Sequence, residues 1–233
     1  MDIIAYYILF YFIYSNLGWF MEVITIFTTQ HTLVNRGFLV GPICPIYGTC
    51  ALLMIGVLHF FMETPIVLFL MAILICSIAE YITSYFMEKI FGARWWDYSD
   101  KLFNLNGRIC LANSLAFGLL GFCLIYFIQP FMWKVVTKIP IGIIYILVTI
   151  FLLIYIVDNI VSFRVILKLK KVTQFVRADN TKEISEKVKE ILKNTSFLGK
   201  RLISAFPDLR VIIKDLGYKA QERIHKISNR GVK

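Results

Sequence analysis

The sequence is poor in charge. Only 17% of its 233 residues are Asp, Glu, Lys or Arg, whereas roughly a quarter of a typical soluble domain is charged. Apolar residues make up 58% of the chain, and they come in long runs separated by short polar stretches. This pattern excludes an ordinary soluble domain and is typical of an α-helical membrane protein.

Several chemical signatures are also missing. The five cysteines form no C-x-x-C pair, and none lies at zinc spacing from a histidine, so we expect neither a disulfide framework nor a metal site. Gly199-Lys200 lacks the upstream glycine and the following Ser or Thr of a phosphate-binding loop. We therefore expect no ATPase machinery, no classical catalytic motif and no cofactor. Met1-Asp2 opens no basic segment, so we expect no cleavable signal peptide.

The apolar runs predict an all-α fold, a polytopic bundle of roughly five transmembrane helices. Each run is long enough to cross about 30 Å of hydrocarbon at about 1.5 Å per residue. The predicted spans are about 3–27, 45–62, 65–87, 109–131 and 139–163.

Charge divides the chain into a transmembrane domain, residues 1–163, and a tail, residues 164–233. The tail holds 18 Lys and Arg against 7 Asp and Glu, while the body holds 7 against 8. The loops after the first and third spans are also basic. The positive-inside rule therefore predicts a cytoplasmic tail and an external N-terminus.

Ionisable residues inside the spans are costly and usually face a bundle interior or a cavity. In the first span Glu22 continues a polar stripe that repeats every three to four residues, and Glu80 and Glu88 belong to a similar stripe in the third. Asp158 lies near the end of the fifth. Each acid either fixes helix packing through hydrogen bonds or belongs to a substrate or proton site.

The two loops on the predicted cytoplasmic side are unusual. The first, from Asn35 to Gly48, is rich in glycine and proline yet apolar, which suggests a re-entrant or cavity-lining segment. The second, from Arg94 to Cys110, mixes aromatic, charged and amide residues that suit headgroup or phosphate contacts. Ordinary interfacial loops are the alternative. The loop candidates for a substrate cavity are Arg36, Arg94, Trp96, Asp97, Asn106 and Arg108.

A weak internal repeat is visible. Phe20-Met21-Glu22 closes the first span and Phe86-Met87-Glu88 closes the third, and each is followed by a loop with a cysteine near the next span. Two hairpins of the same orientation would form a parallel repeat.

The tail pattern predicts basic amphipathic helices over about 181–193, around 197–206 and after Asp208, where Asp208 would cap the third helix. Such helices lie on membrane lipid or bind a partner. Nucleic acid is not an expected partner, because the anionic membrane surface is already close.

Several strings resemble one bacterial family. They are Asn35 to Leu39 followed by Gly41-Pro42 and Pro45 to Gly48, then Glu80-Tyr81, Arg94 to Ser99 and Asn104 to Arg108. In this order they resemble the CmpB-like membrane proteins described as Putative ABC-transporter type IV, over about residues 5–165. The resemblance implies a multi-pass permease-type protein of the bacterial cell membrane, with a separate ATPase subunit.

Three functions are open at this point. The first is a permease or transporter-type subunit with a polar cavity in the cytoplasmic half of the bundle, working with an ATPase subunit or a second copy of the chain. The second is an intramembrane enzyme acting on a lipid or isoprenoid phosphate, with Arg-rich loops binding the headgroup. The third is a non-catalytic regulator whose tail binds a partner.

Overall fold

The computed structural model describes residues 2–31, 35, 37–91, 93–175, 201 and 210–211. Helices dominate this part of the chain, and the predicted all-α membrane bundle is confirmed. Four helices are long and apolar enough to cross a membrane, at Asp2–Thr28, Pro65–Phe91, Leu111–Val136 and Ile141–Arg164. A shorter apolar helix, Pro45–Phe61, lies at the lower limit of about 17 residues for a span.

Helix ends follow local sequence signals. Helix α1 is Asp2–Gln30, and α2 is Pro45–Leu58 with a 3-10 turn at His59–Phe61. Helix α3, Pro65–Phe91, starts directly after a tight connection. Both α2 and α3 begin with proline, whose fixed φ suits the first helical position and whose missing N–H would have had no helical partner.

The next span is continuous but locally widened. Helix α4, Leu111–Cys123, passes through a π turn at Leu124–Ile128 into α5, Gln129–Val136. Pro130 lies at the start of α5 and cannot donate a backbone hydrogen bond, so the widened turn accommodates it. Helix α6 runs from Ile141 to Phe175, well past the predicted end of the span near residue 163.

Short strands interrupt the all-helical prediction outside the spans. Strands β2, Asn104–Leu105, and β3, Ile109–Cys110, form a hairpin, so residues 109–110 do not begin the helix as predicted. Strand β1, Ala93–Arg94, pairs antiparallel with β4, Arg210–Val211, from the tail. The helix predicted after Asp208 is therefore wrong at these two positions, because their backbone groups pair with β1. The other predicted tail helices lie outside the described residues.

The two hairpins α1–α2 and α3–α4 correspond position by position. The interval from Glu22 to Glu88 equals that from Cys44 to Cys110, and both cysteines are the residues before the N-terminus of a helix. The helix crossings correspond as well. Gly48 lies close to the backbone of Tyr11, and the equivalent pair, Ser114 and Ser77, is joined by a 2.9 Å hydrogen bond. The packing thus supports the parallel repeat.

The apolar core lies where α1, α2, α3 and the two later spans meet. It is built around fully buried side chains such as Phe10, Leu58, Leu68 and Ile144. The outer faces carry exposed Ile, Leu, Val and Phe over the length of the helices, as expected for helices surrounded by lipid.

Candidate functional site

Polar residues cluster between the helices at the end of the bundle where α3 meets the second loop. The predicted polar stripe on α3 does face inward, because Glu80, Ser84 and Glu88 have exposed fractions of only 5%, 4% and 7%. Polar groups buried in an apolar bundle need partners, and the partners of the two acids differ.

Glu88 is bound by two arginines. Its Oε2 accepts a 2.8 Å hydrogen bond from Nη2 of Arg108 and bonds of 3.2 and 3.1 Å from Nε and Nη2 of Arg94. The guanidinium of Arg108 also donates to Ser84 at 3.1 Å. Nη1 of Arg94 lies 3.6 Å from Asp97 Oδ1. Two cations and two anions therefore balance one another in this group of residues, which we call the Glu88 cluster.

Aromatic faces complete the surroundings of Arg108. Its guanidinium carbon lies 5.6 Å from the ring centroid of Tyr81 and 5.5 Å from that of Tyr85. Both distances are within the range of a cation–π interaction. The buried arginine, 6% exposed, is thus held by an ion pair, a hydroxyl and two rings.

The β2–β3 hairpin places Arg108 at this position. Asn106 and Gly107 both have positive φ angles, 54° and 66°, and Arg108 N donates to Leu105 O at 3.0 Å across the turn. This is the geometry of a type I′ turn, for which Asn-Gly is the preferred sequence. A Cβ atom at Gly107 would also overlap Asp97 Oδ1.

Further contacts fix the hairpin against the bundle. Trp96 Nε1 donates to the carbonyl of Arg108 at 3.0 Å, and Asn106 Nδ2 donates to Tyr81 Oη at 2.9 Å. Nη1 of Arg94 donates to the carbonyl of Asn106 at 3.2 Å. Five of the predicted residues, Arg94, Trp96, Asp97, Asn106 and Arg108, therefore form one connected unit with Glu88.

Glu80 has a different environment. Its Oε1 accepts a 3.2 Å hydrogen bond from Tyr98 Oη. Its Oε2 is buried and has no hydrogen-bond partner within the part of the chain that the structure describes. No described Lys or Arg forms an ion pair with it. Glu80 is close enough to Glu22 for the two carboxyls to interact electrostatically.

Glu22 accepts a 2.6 Å hydrogen bond from the hydroxyl of Tyr47 on α2. The ring of Tyr47 reaches this position by lying directly over Gly18, where any Cβ atom would overlap it. The phenols of Tyr47 and Tyr98 also interact electrostatically. Glu22, Tyr47, Tyr98 and Glu80 therefore form a second polar group, which we call the Glu80 group.

Asp158 lies apart from both groups and organises the first loop. Its two carboxylate oxygens accept 2.8 Å hydrogen bonds from the backbone N–H groups of Val40 and Gly41, and Ser162 donates to Oδ1 at 3.1 Å. Gly41 is required here, since a Cβ atom would lie 2.9 Å from Asp158 Oδ2. Asp158 therefore anchors the loop to α6.

The tail contacts the same loop through Arg201. Its guanidinium donates to the carbonyls of Gly37, Phe38 and Leu39 at 3.3, 3.2 and 2.5 Å. Burial lowers the pKa of Arg201 from its ordinary value, and the nearby Asp158 carboxylate acts in the opposite direction. Together with the β1–β4 ladder, Arg201 connects the tail to both loops.

One predicted residue, Arg36, lies outside the described residues. The polar cavity predicted from the sequence stays a prediction. Two grooves in the described part of the chain are lined mainly by apolar side chains. One of about 540 Å³ lies between α2 and α3 and includes Thr49, Ala79 and Thr83. Another of about 330 Å³ lies between α1, α2 and α6.

Sequence reasoning missed the tyrosines that bind the acids. Tyr47 and Tyr98 belong to the strings that carry the family resemblance, but nothing in those strings indicated that they bind the acids. Two features of the sequence could have pointed to these contacts. Gly18 leaves room for a large side chain from a facing helix, and Asn106-Gly107 predicts a hairpin turn in the second loop.

Comparisons with known proteins agree with the strings noted in the sequence. The family model described as Putative ABC-transporter type IV matches residues 9–163. No significant match was found among curated proteins or among solved structures. The matched range contains both polar groups and all or most of each of the four long apolar helices in the described part of the chain.

Proposed function

Because the chain belongs to the Putative ABC-transporter type IV family, we propose that it is the permease subunit of a transporter and that the Glu80 group is its substrate site. The family and the apolar helices make it a membrane protein of transporter type. The permease role and the position of the site are the proposed steps.

The buried Oε2 atom of Glu80 is the observation that carries the proposal. A buried polar atom without a partner is costly, and ionisable groups inside a membrane bundle commonly mark a substrate or ion pathway. Glu80 is 5% exposed and has a single hydrogen-bond donor, Tyr98, among the described residues. A guest that binds Oε2 would remove this cost.

The lipid-phosphate enzyme has less support. Its headgroup would need cationic groups that are free to bind an anion. Arg108 and Arg94 instead bind Glu88, and Arg94 also lies near Asp97. The charge of this cluster is already balanced within the protein, which favours a structural role for it.

The regulator function has one specific observation in its favour. Arg201 attaches the tail to the first loop, and strand β4 pairs with β1, which contains Arg94 of the Glu88 cluster. We propose that the tail modulates the permease rather than acting alone. A variant lacking residues 172–233 should then keep transport with altered rate, whereas loss of all activity would favour the regulator.

The proposed transporter needs an energy source from another subunit. The sequence lacks a phosphate-binding loop, so a separate ATPase subunit would bind the loops and tail on the cytoplasmic side. The proposed location is the bacterial cell membrane, with the N-terminus outside.

The test starts from the full chain, tagged and solubilised from its native membranes in a mild detergent. The eluate is assayed for ATP hydrolysis and then reconstituted into phosphatidylethanolamine and phosphatidylglycerol vesicles. A metabolite mixture is supplied, and solutes that accumulate only with ATP are identified by mass spectrometry.

We expect ATP hydrolysis in the eluate and ATP-dependent movement of at least one solute. The variant Glu80→Gln should lose the movement, and Glu63→Gln, at an exposed position between spans, should keep it. An eluate without ATP hydrolysis and vesicles without ATP-dependent movement would contradict the permease role.

A further inference from the structure

Within the Glu80 group, Glu80 has no described partner that would neutralise the charge of its carboxylate. Tyr98 supplies a neutral phenol to Oε1, and Oε2 has no partner in the described part of the chain. An ionised carboxylate in this position would be buried without a cation, which is strongly unfavourable. Two states remove the problem, a bound proton or another bound positive charge.

Among the described residues, four titratable groups interact electrostatically with Glu80. They are Glu22 on α1, Cys50 on α2, Cys76 on α3 and Tyr98 on the second loop. None of these side chains is cationic. Arg108, on the β2–β3 hairpin, uses its donors on Glu88 and Ser84.

Glu88 provides an internal reference on the same helix. It is as buried as Glu80, yet two guanidiniums bind its Oε2. The two carboxyls, both nearly inaccessible to solvent, thus differ in charge compensation.

We propose that Glu80, together with Tyr98, Tyr47 and Glu22, is a binding site for one positive charge, which a proton occupies at neutral pH and which an alkali ion or an organic ammonium group can take in its place. The inference rests on the proposed function only for the location of the site. It names the kind of charge that a guest of this site carries.

The experiment uses dicyclohexylcarbodiimide, which reacts with protonated carboxyls. The carboxyl proton moves to a carbodiimide nitrogen, the carboxyl oxygen bonds to the central carbon, and an acyl shift gives a stable N-acylurea. The full chain in phosphatidylethanolamine and phosphatidylglycerol vesicles is labelled at neutral pH, and the peptides are measured by mass spectrometry.

We expect label on Glu80, none on Glu88 of the same molecule, and none at position 80 in Glu80→Gln. Labelling is then repeated with sodium chloride, potassium chloride or ethylammonium chloride at constant ionic strength. A competing cation at ten times its dissociation constant should slow labelling by about tenfold. Protection by sodium or potassium identifies an alkali-ion site, and protection by ethylammonium alone identifies an ammonium site.

Two results would overturn the inference. The first is label on Glu80 that no cation slows, which makes Glu80 a structural acid only. The second is the absence of label together with an infrared carboxylic-acid band that is identical in the wild type and in Glu80→Gln. Neither readout depends on solute movement or on an ATPase subunit, so failure here is separate from failure of the permease role.

Discussion

Glu80 and Glu88 lie on one face of α3, about two helical turns apart, and their surroundings are opposite in kind. Glu88 is bound by Arg94 and Arg108, and its arginines are in turn held by a hairpin and two aromatic rings. Glu80 has the single phenol of Tyr98, and one of its oxygens has no partner among the described residues.

The difference distinguishes a buried polar cluster whose groups are all paired from a buried acid that can still bind a guest. A buried ion pair with further hydrogen bonds is costly to break and offers no free group to a guest. A buried acid without a cation is costly to keep, and a fold retains such a group when something else binds it. We therefore propose a packing role for the Glu88 cluster and a binding role for the Glu80 group.

The largest effect is expected when the Glu88 cluster is broken. The variant Arg108→Ala removes the 2.8 Å bond to Glu88 and the bond to Ser84. Breaking a buried ion pair from one side costs about 3–5 kcal/mol. Thermal unfolding of the purified protein in detergent should show a large loss.

Arg94→Ala is the matched control for this change. Its side chain is 19% exposed against 8% for Arg108. Water can therefore replace part of its hydrogen bonds to Glu88, and the loss of stability should be smaller. Equal losses of stability for the two variants would mean that Arg108 contributes no more to the stability of the cluster than Arg94.

A smaller effect is expected at the turn that delivers Arg108. Gly107→Ala places a side chain at φ +66° and against Asp97 Oδ1, which should cost about 1–3 kcal/mol. Gly56→Ala is the control, since nothing lies within 4 Å of the added Cβ atom. If both glycine variants unfold at the wild-type temperature, the hairpin does not position the arginine as described.

The smallest effects on stability are expected at the Glu80 group. Tyr98→Phe removes one hydrogen bond, worth about 1 kcal/mol, and Glu80→Gln replaces a buried acid by a neutral group of the same shape. The melting temperature of Glu80→Gln should equal or exceed that of the wild type. A loss as large as that of Arg108→Ala would show that Glu80, too, has a structural ion pair.

Long apolar runs made the fold readable from the sequence, because lipid leaves the helix as the simplest way to pair every backbone group. The stripe spacing also placed Glu80 and Glu88 correctly on the inner face of α3. Glu22 and Glu88 could be paired as repeat positions from three letters, and the packing of Gly48 and Ser114 supports that correspondence.

The partners of the acids could not be read in the same way. Spacing along one helix gives no distance to a loop, so Arg108 could have reached either Glu80 or Glu88. The choice depends on the backbone of the Asn106-Gly107 turn and on the rings of Tyr81 and Tyr85. Asp158 was predicted as part of a cavity, and its contacts with Val40 and Gly41 depend on how the first loop folds.

The most direct test of the account compares two readouts on the single variant Glu80→Gln. ATP-dependent solute movement is measured in vesicles that contain the full chain with its co-purified ATPase, and unfolding is measured on the same preparation. The account predicts that movement is lost while the melting temperature is kept. Full movement with the Gln side chain in place would contradict it, because the buried acid would then have no part in binding the guest.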